Sequence, residues 1–222
     1  GKVLGLSARG KHEEVEKKLR KFIYFKKKKL KFINTGGYYK SAISKLEKEL
    51  KNFTREDIAA GIQSISEKLM INFIDALINK FSKNKKTNIF LAGGIFANIK
   101  INQKIADLHN VNSCYVFPNM GDGGLGVGCA LELSFRKKPS LLKKRSSMSL
   151  GSRYDITNIK NLNIKHSIIE CRNIFQFIAE QLKKNKIIGI FEGKIEYGPR
   201  ALGNRSIICS AENISINEQL NM

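Results

Sequence analysis

Between Thr54 and Phe135 the apolar residues switch repeatedly between helical and strand spacing, and this alternation constrains the fold more than any other feature of the chain. Ile58, Ile62, Ile65, Leu69 and Phe73 recur every three or four residues, which predicts an amphipathic helix ending near Phe81. Thr54, three residues before Asp57, resembles the opening of a capping box. Ile89–Ala92 reads as a short buried strand broken by Gly93-Gly94, and Ile95, Ile99, Ile105 and Leu108 predict a second helix. Cys114–Phe117 reads as another strand, followed by Pro118, a glycine-rich turn and a helix of small residues ending near Phe135. Helices alternating with strands predict an α/β domain whose parallel or mixed sheet is covered by helices.

The flanks differ. Residues 1–35 hold a glycine-containing opening and the basic stretch KKLRKFIYFKKKKLKF. Four consecutive lysines interrupt any continuous apolar helix face there, which favours a solvated insertion over a membrane-surface or calmodulin-like helix. Gly36-Gly37 reads as the turn closing that part. Residues 136–158, basic and rich in serine, are expected to form a linker between a first domain, 1–135, and a second, 159–222. In the second, Ile174, Phe177, Ile178 and Leu182 predict a helix, and Ile187–Phe191 and Ser206–Cys209 predict strands.

Lys and Arg number 40 against 19 Asp and Glu, a net charge of +21. Such an excess raises nucleic acid or an anionic membrane surface as partners. Lysine is nevertheless spread along the whole chain, as in lysine-rich sequences generally, which argues against a nucleic-acid partner. The apolar runs are far shorter than the roughly 20 residues a bilayer span requires, so no membrane partner is expected. Cys114, Cys129, Cys171 and Cys209 are widely separated, with neither disulfide nor zinc-ribbon spacing, which suits a reducing cytoplasm.

Three constellations could carry chemistry. In FLAGGIFAN, the glycines Gly93 and Gly94 between a strand and a helix start would let a nucleotide phosphate approach the backbone, or simply make a tight turn. In NMGDGGLGVG, Gly121, Gly123 and Gly126 match GxGxxG, but no acidic residue follows about 20 positions on, so the dinucleotide reading fails. Asp122 there suits either a metal ligand or a helix N-cap. In EGKIEYGPRALGNRS, Arg200 and Arg205 stand among glycines and a proline in a chain where lysine is otherwise the usual cation. A guanidinium fork matches phosphate or carboxylate oxygens, so these arginines read as an anion site.

Taken together, GKVLGLSARGK, DIAAGIQ, LAGGIFANIKINQKI, FPNMGDGGLGVGCAL and GKIEYGPRALGNRSI resemble the O-carbamoyltransferases of nodulation-factor, cephamycin and aminoglycoside biosynthesis in order and spacing. The resemblance implies the later half of an actin-like ATPase (ASKHA-type) domain followed by the start of a YrdC-like α/β domain. It implies an enzyme that uses ATP and carbamoyl phosphate to form a carbamoyl-adenylate, then transfers the carbamoyl group to a hydroxyl of a sugar or small-molecule acceptor. By position, Gly93, Gly94 and Asn98 would contact the nucleotide, and Asp122 would bind a divalent metal, whether iron, magnesium or manganese. Lys194, Arg200 and Arg205 would lie at the carbamoyl phosphate and adenylate site.

The family pairs its metal-binding aspartate with two upstream histidines. His12, His109 and His166 are not spaced as such a pair. The resemblance therefore implies a fragment that is catalytically incomplete by itself. Lys194 also stands where the family commonly has arginine, which removes a bidentate contact. Two alternatives remain open: a tRNA threonylcarbamoyladenosine-type modification enzyme, and a non-catalytic basic module that binds nucleic acid.

Overall fold

The computed structural model describes residues 2–82, 85–142, 147–154, 167–212 and 215–221. The chain divides into two compact units, Gly1–Leu125 and Gly126–Met222. Among the described residues no helix is long and apolar enough to cross a membrane.

The first unit opens with two short helices, α1 (Lys2–Ser7) and α2 (Glu13–Leu19). A β-hairpin of β1 (Ile23–Lys26) and β2 (Lys31–Asn34) follows, paired antiparallel with Phe25 opposite Phe32. Thus the basic stretch is not a free solvated insertion: its first residues, Lys17–Leu19, end α2 and most of the rest forms this hairpin. Phe25 and Phe32 stack on each other at 5.2 Å and on Phe73 at 5.6 and 5.1 Å. This three-ring cluster anchors the hairpin, while Lys27, Lys28 and Lys29 form the exposed turn. Next come α3 (Tyr39–Leu50) and the long α4 (Arg55–Phe81).

At its N-terminus α4 follows the sequence expectation. Thr54 accepts a hydrogen bond from the Asp57 N–H at 3.1 Å. The Asp57 carboxylate also accepts the Lys11 N–H at 2.7 Å, tying the loop before α2 to the start of α4. The buried face departs from the simple stripe. Ile62 is 39% exposed, whereas Gly61 and Gln63 beside it are buried. Val15 of α2, fully buried, presses onto the Gly61 backbone, and a Cβ on Gly61 would stand 2.3 Å from Val15 Cγ1. The second half of α4 turns Met70, Ile74 and Ile78 toward a different partner.

That partner is a strand–helix–strand unit of β3 (Thr87–Leu91), α5 (Ile99–Ala106) and β4 (Val111–Val116). The strands pair in parallel with Leu91 opposite Val116, as the alternation predicts. Leu91, Phe96, Ile101, Ile105 and Val111 join the α4 residues in the larger core. After β4 the chain enters α6 (Leu125–Lys137).

The second unit holds α7 (Ile174–Lys183) and the antiparallel pair β5 (Ile188–Phe191) and β6 (Arg205–Ile208), then α8 (Ile216–Asn221). The expected linker 136–158 lies partly outside the described residues. Of the part described, α6 reaches Lys137, and Met148–Arg153 lies along Lys194–Tyr197. There the Gly151 N–H donates to Ile195 O at 2.9 Å and the Tyr197 N–H to Met148 O at 2.8 Å.

Candidate functional sites

In the first unit the two glycine-rich loops lie side by side at the carboxyl ends of the parallel strands, where open α/β sheets commonly bind ligands. The Gly93 N–H donates to Met120 O at 2.6 Å, and the Phe117 N–H to Leu91 O at 3.1 Å. Gly93 has φ +118°, which favours glycine. Space beyond Gly94 and Gly121 is open, with no atom within 4 Å of where a Cβ would stand. A ligand could therefore approach these backbones closely.

The helix start expected at the double glycine lies further on. Gly94–Ala97 form one 3-10 turn, and Asn98 then caps α5, its side chain accepting the Ile101 N–H at 3.3 Å. The Asn98 amide also pairs with Gln63 of α4, donating at 2.7 Å and accepting at 3.2 Å. Gln63 in turn donates to Glu67 at 2.7 Å, and Glu67 takes Lys104 as its ion-pair partner. Burial would raise the Glu67 carboxyl, but the hydrogen bonds from Lys104 and Gln63 outweigh it and hold the group below its ordinary range. This chain of polar contacts borders a cleft of about 460 Å³ whose lining includes Gly10, His12, Gln63, Glu67, Lys100 and Lys104. Gln63 belongs to the DIAAGIQ stretch, but its pairing with Asn98 was not legible there.

Asp122 begins a single 3-10 turn, Asp122–Gly124, with its side chain exposed. No capping hydrogen bond from it is present among the described residues. Nor does any group of three or more His, Cys, Asp and Glu there stand close enough to hold a metal ion. Asp122 offers a single carboxylate, so the described residues do not by themselves fit a metal centre.

In the second unit, Glu192–Asn204 link β5 to β6. Arg205 lies at the foot of this loop, its guanidinium carbon 3.6 Å from the centre of the Phe191 ring. Nη1 donates to Glu192 O at 2.6 Å and Asn204 O at 2.8 Å, and Nη2 to Gly193 O at 3.3 Å. Its fork is thus aimed at the loop's own carbonyls. Arg200 is half-buried within the loop, and Lys194 is exposed and bridged to Arg153 through the backbone.

Glu196 was not singled out by the sequence, though it lies inside the motif. Its Oε1 accepts the N–H groups of Asn204 at 2.6 Å, Leu202 at 2.9 Å and Arg205 at 3.4 Å. Desolvation would raise its carboxyl, and these backbone donors, led by Asn204, hold it below the ordinary range instead.

These features define a two-unit α/β chain with strand-end glycine loops in the first unit and a cation-bearing loop in the second. Residues 1–131 match the family described as Carbamoyltransferase N-terminus, and residues 179–222 match Carbamoyltransferase C-terminus. The chain belongs to the carbamoyltransferase family. It is 29% identical to uncharacterized protein MJ1058 of Methanocaldococcus jannaschii, covering all of this chain and 38% of the relative. It is 30% identical to MJ1051 of the same organism, covering 94% of this chain and 41% of the relative. Nodulation protein NolNO of Sinorhizobium fredii is 27% identical over 76% of this chain and 26% of its own length. The chain therefore spans about two fifths or less of these curated relatives.

Proposed function

We propose that this chain forms part of an ATP-dependent O-carbamoyltransferase that takes the carbamoyl group from carbamoyl phosphate, through a carbamoyl-adenylate, to the hydroxyl of a sugar or small molecule. The observation that carries the reading is the family match over 1–131 and again over 179–222, enclosing both glycine-rich loops and the GPRALGNRS segment. On this reading the first unit is the later half of an actin-like ATPase domain, and the second begins a YrdC-like domain. Gly93, Gly94 and Asn98 border the nucleotide, and the open backbone at Gly94 and Gly121 supports a close phosphate approach. Lys194 and Arg200 offset phosphate charge, while Arg205 shapes the loop that carries them. Asp122, exposed beyond the end of β4, would contribute one carboxylate to a divalent ion whose other ligands are not among the described residues.

Incubation of the complete polypeptide with carbamoyl phosphate, ATP and a divalent metal tests the reading, with pyrophosphate release and a carbamoyl-adenylate followed by mass. Both products are expected, and Arg200→Ala should abolish the adenylate while leaving the fold intact. Absence of both products from the unaltered protein would refute the proposal.

A second reading, polyanion binding, is favoured by Lys26–Lys29 and Lys31 crowding the turn of the hairpin. Such binding should weaken steeply with salt. Structure-selective tRNA binding that survives moderate salt would instead favour a tRNA threonylcarbamoyladenosine-type enzyme over both readings.

A further inference from the structure

The loop between β5 and β6 contains neither helix nor regular strand, and Gly198 and Gly203 within it have φ of +126° and +121°. These left-handed glycines let the chain fold back so that separate N–H groups converge. The point of convergence is Oε1 of Glu196, which takes Leu202, Asn204 and Arg205 at once. Converging backbone donors of this kind make an anion-binding concavity, and here the anion belongs to the chain itself.

The mouth of the loop is closed from the opposite side. The Glu192 N–H donates to Asn204 O at 2.9 Å, and the Asn204 side chain donates to Lys194 O at 2.7 Å and Ser149 Oγ at 3.0 Å. Arg205, stacked on Phe191, bridges the carbonyls of Glu192, Gly193 and Asn204. One anion and one cation therefore clamp the same backbone, each through main-chain groups. Neither geometry suits direct work on a phosphate. The Glu196 charge would repel it, and the Arg205 fork already points at carbonyls.

We propose that Glu196 is a positioning residue: its carboxylate fixes the backbone of 197–205 so that the loop carrying Lys194 and Arg200 binds a phosphate-bearing substrate, and Arg205 braces the loop from its other face. The inference rests on the carbamoyl phosphate reading of this segment. It assigns that segment's recognition to a loop held in shape before substrate arrives.

Two measurements on the complete polypeptide test it: hydrogen exchange of the Leu202 and Asn204 amides, and the Kd for inorganic phosphate. Glu196→Ala should speed exchange by at least ~10-fold and weaken phosphate binding to a similar degree. Glu196→Gln, whose Oε1 still accepts hydrogen bonds, should recover part of both. Arg205→Lys should speed exchange in the same loop. Unchanged exchange in Glu196→Ala overturns the proposal. Faster exchange with phosphate affinity unmoved overturns it too, because the loop would then be braced for something else. Tighter phosphate binding in Glu196→Ala also overturns it, since the carboxylate would then be occupying the substrate's own place. Arg205→Lys that loses phosphate binding with unchanged exchange would make Arg205 a ligand and not a brace. Failure of the unaltered complete polypeptide to bind phosphate refutes the carbamoyl phosphate reading itself. That failure is distinct from a normal affinity unmoved by the substitution.

Discussion

Glu16 of α2 is the most heavily committed charge in the first unit, and removing it should give a pH-dependent loss of stability. Its side chain is 5% exposed and meets Arg20 at 2.6 Å, Lys68 at 2.7 Å and the Ser64 hydroxyl at 2.7 Å. Burial alone would raise its pKa, but Lys68, Ser64 and Arg20 prevail and lower it from an ordinary 4.5 to about 2. A carboxyl depressed in the folded state stabilises the fold above its unfolded value, and that contribution is lost as pH falls toward the folded value. The shift corresponds to about 3 kcal/mol, present at pH 7 and withdrawn between about pH 5 and pH 2. Glu16→Gln keeps the shape and removes the charge. Its two cationic partners are about half exposed and can regain water, so the expected loss at pH 7 is about 2–3 kcal/mol. The assay is urea unfolding of both proteins, followed by helical circular dichroism, at several pH values from 7 to 3. Taking the difference between the two proteins cancels the other acidic groups. The gap should be widest at pH 7 and shrink steadily below about pH 4.5. A gap that stays constant down to pH 3 would refute the argument, because it would trace the loss to packing and not to the charge.

Three further outcomes are expected. Gly61→Ala should destabilise by about 1–3 kcal/mol through overpacking against Val15, although helix propensity alone would stabilise it by about 1 kcal/mol. A raised melting temperature would show that α2 and α4 can move apart freely. Asn98→Ala should cost about 1–3 kcal/mol in urea unfolding, since it removes the α5 cap and leaves Gln63, 8% exposed, without its amide partner. A loss well under 1 kcal/mol would mean that water replaces the pair. Asp122→Asn, at an exposed position, should change stability by less than about 0.5 kcal/mol while lowering carbamoyl transfer in the complete polypeptide. Transfer at the unaltered rate would remove Asp122 from the site.

The elements legible in the sequence were those whose partners lie close along the chain. Helix α4, strands β3 and β4 and the glycine breaks after them follow from local spacing, and the parallel pairing follows from the helix between the strands. The hairpin was not legible, because what orders it is Phe73, far along the chain, and the lysines between Phe25 and Phe32 mask the alternation. Ile62 shows the same limit. Its spacing places it on the apolar stripe of α4, yet Val15 packs against Gly61, so the buried face rotates away from it. Helix α3 escaped the sequence reading as well.

At the candidate sites, residue type alone could not separate groups that hold the loops from groups that face outward. Asn98 and Arg205 look like ligand-binding residues in a motif, but the Asn98 amide is held by α5 and Gln63 and the Arg205 Nη atoms by three carbonyls, just as Glu196 Oε1 is held by three amides. Asp122 and Lys194 are exposed. The two groups should therefore respond oppositely to mutation. Changes to the first group reach substrate only by altering backbone that carries other residues, so stability and affinity fall together. On the proposed function, changes to the second should leave the fold as it is and act on chemistry alone. Motifs of this kind thus combine loop construction with loop use, and the hydrogen-bond partners, more than the residue types, distinguish one from the other.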